Sequence, residues 1–338
     1  GDALVDLDLG AAQAEHRQRG ALLSLVAKEV RPDEVSSYGV VVTDGACRIV
    51  SFQEKPHVEE AKSNLVNTGI YMLKKSLMTP WAMECSIDFS QDVFPQALTQ
   101  GMGLYGPIAE GYWRDVGHVD DYAQAHLDLL SNRVKVTWPN PVGSRGGARL
   151  SCGTDCIIDP KAQMSGMVVL GDRVSIGPGA QITDSFIGSG SAIGQGSRIR
   201  RSVIWSAVSV GVRSDLHETI IQSGAHLGSD CAIRERSIVS ELCRLGERVT
   251  VQPGCKIWPH KSVEDGAHVS SSIVWGEHYN RELFTDAKVS GLTNREITPE
   301  FAARLGAAFA SQFPQGTVLV VARDSSLEAR AVTEALKS

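Results

Sequence analysis

The chain has 338 residues, 42% hydrophobic and 21% charged, with mean hydropathy −0.08, a formal net charge of −6 and a pI near 5.9. This predicts a soluble globular protein of two or three domains. It excludes the basic stripe of a general nucleic-acid binder, a run long enough to span a bilayer, and a signal peptide.

Residues 8–19 read as a helix, with Asp6 as its cap and Gly20 as a C′ stop. Ala21 to Val30 is apolar and strand-like. Residues 38–42 and 48–52 flank Thr43-Asp44-Gly45-Ala46, and Asp-Gly between two alternating strands is a hairpin signal. Thr68 to Leu73 is a further strand. Residues 120–130 read as a helix that Asp120 or Asp121 can cap, with Tyr122, Ala125 and Leu129 on one face. Strands mixed with helices make residues 1–130 an α/β unit. Residues 131–150, with two Pro and three Gly, have the composition of a linker.

A repeat dominates the middle third of the chain. Leu170, Ile187, Ile204, Ile221 and Ile238 are evenly spaced, seventeen positions apart. Two rows run in phase with them, Ile176/Ile193/Val210/Leu227 and Ile182/Ile199/Leu216/Ile233, so each period divides into pieces of six, six and five. Gly follows many of these aliphatics, as in Ile176-Gly177 and Val210-Gly211. This is the hexapeptide pattern of a parallel β-helix, with three aliphatics per coil filling a triangular core. It covers residues 151–278 in roughly seven coils, and at ~4.8 Å per stacked strand the prism would be about 34 Å long. Such prisms wind left-handed, an exception to the right-handed crossover rule. The phase slips after Ile238, where Leu245-Gly246 restarts it, which predicts a bulged corner there.

The last stretch, residues 279–338, changes character. Thr298-Pro299-Glu300 is a helix start, followed by an apolar stripe of Phe301, Leu305, Ala308 and Phe309. Thr317 to Val321 reads as a buried strand, and a second helix pattern runs from Ser326. The fold class expected is therefore α/β plus β-solenoid, with the start of another α/β domain at the end. Cys47, Cys85, Cys152, Cys156, Cys231, Cys243 and Cys255 form no CxxC pair, which argues against a zinc knuckle and for the reduced thiols of a cytoplasmic protein. The chain opens Gly-Asp-Ala without Met and stops inside a helix-like run, so it reads as part of a longer polypeptide.

Four motifs stand in order: Gly1-Asp2-Ala3-Leu4-Val5-Asp6, Gln53-Glu54-Lys55-Pro56, Asn67-Thr68-Gly69-Ile70-Tyr71 and Gly111-Tyr112-Trp113-Arg114-Asp115-Val116-Gly117. Together, and followed by a prism, they resemble the sugar-nucleotide pyrophosphorylases, nucleotidyltransferases that act on sugar 1-phosphates. The resemblance implies transfer from a nucleoside triphosphate to a hexose 1-phosphate. Both reactants are polyanions, so a divalent metal and a cation are needed to hold them together. Mg²⁺ takes one or two carboxylates and completes its shell with phosphate oxygens and water. By this resemblance Asp2 and Asp115 are the metal-binding aspartates and Lys55 contacts the sugar phosphate. Glu54, Asn67 and Thr68 belong to the sugar-binding segments, and the Gly39 backbone lies against the sugar. Without it, Asp2 is a surface or cap residue, Lys55 a solvated strand-end lysine and Gly39 a bend in a strand. Trp113 reads as packing. The family's Gly-rich triphosphate loop lies upstream of Gly1, so the fragment alone is expected to be inactive.

Phe284-Thr285-Asp286, Thr298-Pro299-Glu300-Phe301 and Arg323-Asp324-Ser325-Ser326 resemble the start of the phosphohexomutases. Glu328 stands where their phosphoserine would be, and Lys288-Val289-Ser290-Gly291 lacks the family arginine, so the module reads as degenerate. Ser325 and Ser326 read as caps. This domain combination resembles the bacterial mannose-1-phosphate guanylyltransferases that carry a phosphomannomutase-like domain, and implies GTP and mannose 1-phosphate, with glucose 1-phosphate as the alternative. Two rival classes remain open. Hexapeptide acyltransferases use a coil His as base, and His217, His226, His260 and His268 lie in the repeat. The prism and tail could instead be an assembly scaffold, and a homo-oligomer is expected.

Overall fold

The computed structural model describes residues 2–77, 88–138, 140–274, 278–279, 289, 297–323 and 325–337. Gly1, Cys85, Phe284-Thr285-Asp286, Lys288, Ser290-Gly291 and Asp324 lie outside the described residues, as does the side chain of Glu328. The chain divides into two compact units, residues 1–137 and 138–338.

The first unit opens with β1 (Ala3–Leu7) and α1 (Leu9–Gln18). The cap of α1 is Asp8, not Asp6: Asp8 lies just outside the helix and its Oδ1 accepts the Ala11 N–H at 2.9 Å. Asp6 falls inside β1, where its Oδ2 accepts the Lys135 N–H at 2.8 Å. Gly20, with φ +60°, takes the left-handed position after the helix, as expected. Next come β2 (Leu23–Glu29), β3 (Gly39–Thr43), β4 (Ile49–Glu54) and β5 (Leu65–Leu73). The β3–β4 turn is longer than an Asp-Gly hairpin. Asp44 Oδ1 accepts the N–H groups of Ala46 and Arg48, and Cys47 rather than Gly45 takes the left-handed conformation.

Three elements that the sequence pattern does not announce form over residues 94–115: α2 (Phe94–Thr99), β6 (Leu104–Tyr105) and β7 (Gly111–Asp115). A five-stranded sheet runs β4-β3-β5-β2-β6, antiparallel except for the parallel β2–β6 pair. Phe94, fully buried, seals one face and stacks on Phe52 at 5.0 Å. On the other face Ala12 of α1 packs with Val26 and Ala109. A separate antiparallel ribbon joins β1 to β7. The unit closes with α3 (Val119–Leu130). Its N-cap position is His118, so Asp120 and Asp121 sit too late to cap it and instead face the helix dipole from the first turn.

In the second unit, part of the stretch read as a linker is structured. Val142–Arg145 and Ala148–Cys152 form an antiparallel hairpin whose turn uses Gly146 and Gly147, both at positive φ, and the second strand pairs with Gln163–Leu170 of the prism. Those glycines serve a turn rather than flexibility. The prism follows the aliphatic rows: Ile176, Ile193, Val210, Leu227, Leu245 and Val263 stack in register. The slip is not a bulged corner. Ile221 pairs with Val239, and Ile238 with Ile220, so the third face lengthens from five residues to six between Ile233 and Val239. The later coils are uniform, with Val251 opposite Val269. The glycines after the aliphatics are required by coil spacing. A Cβ on Gly211 would lie 2.5 Å from the Gly228 carbonyl carbon.

Buried hydroxyls close the corners. Ser197 Oγ donates to the Gly211 carbonyl at 2.7 Å and accepts the Ser214 N–H at 3.0 Å. Cys231 and Cys243 occupy equivalent corners, with their thiols on the Gly246 and Trp258 carbonyls. Burial pushes both thiols up, which suits structural rather than reactive cysteines.

Beyond the prism, α4 (Pro299–Ala310) starts at the expected cap, with Thr298 Oγ1 accepting the Phe301 N–H at 3.2 Å. It packs on α5 (Leu327–Lys337) through Gly306, which lies against the Leu336 backbone. The contact face is therefore Ala302 and Gly306, and Phe309, placed by periodicity in the apolar stripe, is 55% exposed. Thr317 to Val321 forms no strand. It has no ladder partner among the described residues, and Val318 and Val320 are exposed, because an apolar run becomes a strand only when another strand satisfies its backbone. No helix among the described residues is long and apolar enough to cross a membrane.

Candidate active site

The β1–β7 ribbon brings together residues more than a hundred positions apart. Ala3 lies opposite Asp115, Val5 opposite Trp113 and Leu7 opposite Gly111. One step beyond, the Val116 N–H donates to the Asp2 carbonyl at 3.0 Å. Gly111 (φ +113°) is needed for this closure, since a Cβ there would meet the Asp6 carbonyl oxygen. Asp2 and Asp115 thus end up at the same end of one ribbon. Burial, the Asp2 charge and the Asp121 charge push the Asp115 carboxyl up from its ordinary value, while the Val116 amide and Lys55 act the other way.

Two carboxylates at one ribbon end that feel each other's charge, with a lysine within electrostatic reach, form a hard oxygen donor set that suits a divalent cation such as Mg²⁺. Among the described residues no group of three or more His, Cys, Asp or Glu could hold a metal. A cation here would therefore rest on the aspartate pair and on oxygens from outside the protein.

Lys55 follows the last residue of β4, and its N–H donates to the Tyr38 carbonyl at 3.2 Å. Its backbone is left-handed, φ +41°, unusual for a residue with a side chain and a kind of strain found at functional sites. Beside it, three strands converge. Gly39 of β3 pairs with Glu54 of β4, and a Cβ on Gly39 would lie 3.2 Å from Glu54 Oε2 and 3.8 Å from Asn67 Cβ of β5. Gly39, Glu54 and Asn67 therefore border one patch that has no side chain at its centre. Asn67 is held at both ends of its amide: Oδ1 accepts the Gly69 N–H at 2.9 Å and Nδ2 donates to the Tyr71 hydroxyl at 3.1 Å.

Thr68 sits differently. It is buried, and its hydroxyl donates to the Val26 carbonyl at 2.7 Å, at a point where the β2–β5 register shifts. Its side chain holds that irregularity and presents Asn67, rather than facing the patch itself. Trp113 is a packing residue, as expected. Its Nε1 donates to the Thr68 carbonyl at 3.2 Å, and Tyr38 meets it edge-on at 5.1 Å.

Sequence reasoning missed the support beneath Asp115. Asp128 of α3, 2% exposed, accepts the Tyr112 hydroxyl at 2.7 Å and pairs with Arg114 at 3.4 Å and Arg133 at 3.2 Å. Burial and Asp128 push the Tyr112 hydroxyl up to about 12. These contacts fasten α3 to β7 on either side of Trp113 and so fix the direction of Asp115. The available signal was an acid on the buried face of α3, close to Ala125 and Leu130. The other omission was Tyr71, whose ring stacks on Phe89 at 4.6 Å while its hydroxyl orients Asn67.

The prism histidines form no comparable site. His217 Nδ1 is bonded to Glu235 at 2.7 Å within a ladder of inter-coil charges that includes Arg200 and Arg234 on Asp215. His268 shares a hydrogen bond with Gln252 at 3.0 Å, and His226 and His260 are exposed.

Residues 1–132 match the protein family described as nucleotidyl transferase. Residues 152–251 match that described as the EIF2B subunit epsilon LbH domain, in line with the left-handed winding expected for the prism. The chain is 35% identical over 222 residues to a UTP–glucose-1-phosphate uridylyltransferase of Synechocystis sp., covering 55% of this chain and 57% of that protein. It is 30% identical over 209 residues to glucose-1-phosphate adenylyltransferases of Desulfitobacterium hafniense and Desulforamulus reducens, covering 55% of this chain and 51% of each of those proteins. The chain thus spans about half the length of the curated relatives it matches.

Proposed function

We propose that the first unit serves nucleotidyl transfer from a nucleoside triphosphate to a hexose 1-phosphate, giving a nucleoside-diphosphate sugar and pyrophosphate. The observation that carries this reading is the pairing of Ala3 with Asp115, which puts Asp2 and Asp115 at one end of one ribbon within the electrostatic reach of Lys55. In this reaction a phosphate oxygen of the sugar attacks the α-phosphorus, and the bond to pyrophosphate breaks. Asp2 and Asp115 would hold Mg²⁺, which supplies positive charge against the phosphate oxygens. Lys55, a point charge on a rigid strand end, neutralises the incoming sugar phosphate. Gly39 leaves room for the hexose ring, and Glu54 and Asn67 offer acceptor and donor groups to its hydroxyls.

The named relatives act on glucose 1-phosphate, and this makes it the first acceptor to test. The expectation of mannose 1-phosphate and GTP rests on the mutase-like tail, and part of that tail's motif residues lie outside the described region. The two hexoses differ only in the configuration at C2, so Glu54 and Asn67 are the natural discriminators. We assign the prism a scaffold role, consistent with a homo-oligomer, since its histidines are engaged along the coils or open to solvent.

The test is pyrophosphate release, assayed in the longest natural polypeptide that carries this chain, with each hexose 1-phosphate paired with UTP, ATP and GTP. Release that requires Mg²⁺ with one hexose 1-phosphate is expected. No release from any pair, together with thiol release from an acyl-CoA, would overturn the reading in favour of acyl transfer.

A further inference from the structure

The first unit holds a second concave site that shares with the candidate active site only Tyr71, whose hydroxyl orients Asn67. It lies between the last turn of α1 and the end of β5, has a volume of about 640 Å³, and is lined by His16, Arg17, Gly20, Tyr71 and Lys74 among others. Among the described residues no Asp or Glu contributes to its wall. Among the described residues neither Arg17 nor Lys74 has an ion-pair partner, although Lys74 Nζ donates to the Gly20 carbonyl at 3.3 Å.

His16 makes the cavity more than a pair of surface cations. It is 9% exposed, and its Nδ1 is bonded to the fully buried Ser24 hydroxyl at 2.8 Å, which fixes the ring. Its Nε2 has no protein partner among the described residues and keeps some exposure, and the residue lines the cavity. That nitrogen is therefore free to share a hydrogen bond with an occupant of the cavity. Two uncompensated cations next to that nitrogen make an oxyanion the fitting occupant.

We propose that this cavity is an anion site for a phosphomonoester group, free or carried on a small metabolite, held between Arg17, Lys74 and His16. The site is independent of the nucleotidyl-transfer reading, since Asp2, Asp115 and Lys55 take no part in it. Burial, Lys74 and Arg17 all lower the proton affinity of His16. A bound dianion opposes the two cations, so binding takes up a proton and tightens as pH falls toward the imidazole range.

Calorimetric titration of the full chain with inorganic phosphate, and separately with glucose 6-phosphate, tests the site while the His16 ring protons are followed by NMR. Binding should persist in Lys55→Ala, which removes the cation of the catalytic patch. It should weaken about tenfold or more in Arg17→Ala/Lys74→Ala. Both substituted side chains are exposed, and circular dichroism verifies that the fold is kept. Binding of both probes assigns the site to the free anion, and binding of the sugar phosphate alone assigns it to a metabolite. Undiminished affinity in the double variant, loss of binding in Lys55→Ala, or no heat and no His16 shift at millimolar probe, would overturn the proposal.

Discussion

Val116 donates its N–H to the carbonyl of Asp2 at 3.0 Å, the last rung of the ribbon that sets Asp2 against Asp115. A rung of main-chain hydrogen bonds fixes backbone position far better than two flexible side chains could. The charge crowding at Asp115 is thus built into the fold rather than adjusted on binding.

That crowding has a stability consequence. Asp115 has its proton affinity raised by burial and by Asp2, so the native state holds this proton more tightly than the unfolded chain. Its contribution is favourable below the ordinary carboxylate range and is lost as pH rises through the raised value. Asp115→Asn should therefore raise the melting temperature at neutral pH while lowering turnover about a hundredfold or more. Mg²⁺ should raise the melting temperature of the native protein and not that of the variant. Calorimetric melts at neutral and acid pH, paired with a turnover assay, check all three.

Lys55 carries a left-handed backbone that costs about 1 kcal/mol in a residue with a Cβ. Lys55→Gly should be more stable than Lys55→Ala by about that amount, read from urea midpoints. Both variants should raise the KM for the hexose 1-phosphate about tenfold or more, since both lose the ammonium. Equal stability of the two would show that the backbone is not held as described.

Tyr71 orients Asn67 through one hydroxyl. Tyr71→Phe keeps the ring on Phe89 and removes only the hydrogen bond, so the KM for the sugar phosphate should rise about three- to tenfold. The KM for the triphosphate and the melting temperature should hold. Steady-state kinetics with each substrate varied in turn separates these outcomes.

Asp128 is the buried carboxylate under β7. Asp128→Ala removes the buried acceptor of Arg114 and the Tyr112 hydroxyl, leaves Arg114 its pair with Asp121, and should destabilise the first unit by about 1–3 kcal/mol. The Tyr112 phenol should then titrate nearer its ordinary value, as ultraviolet absorbance would report. Its raised value stabilises the native state below the ordinary tyrosine range, and that contribution fades as pH climbs toward about 12.

The prism was the most legible part of the chain, because three aliphatic rows and their glycines repeat at a period that admits one packing. Its one misreading, a bulged corner after Ile238, came from following a single row. The pairing of Ile221 with Val239 shows that one face simply gained a residue. The candidate site was suggested only by motifs in order, since no local pattern says that Ala3 pairs with Asp115. Asp6 was misjudged against Asp8 because both are acids near a helix start, and strand register decides between them. Thr317 to Val321 looked like a strand because apolar β-branched runs favour one, but a ladder needs a partner that no periodicity supplies. Asp128 and Tyr71 escaped notice because their roles depend on contacts across elements.

The central claim is that Asp2 and Asp115 share one divalent cation. Mn²⁺ binding, followed by electron paramagnetic resonance in the native chain and in Asp2→Asn and Asp115→Asn, tests it most directly. A single site that weakens sharply in either variant is the predicted result. Mn²⁺ affinity unchanged by both substitutions, in protein whose circular dichroism is native, would contradict it.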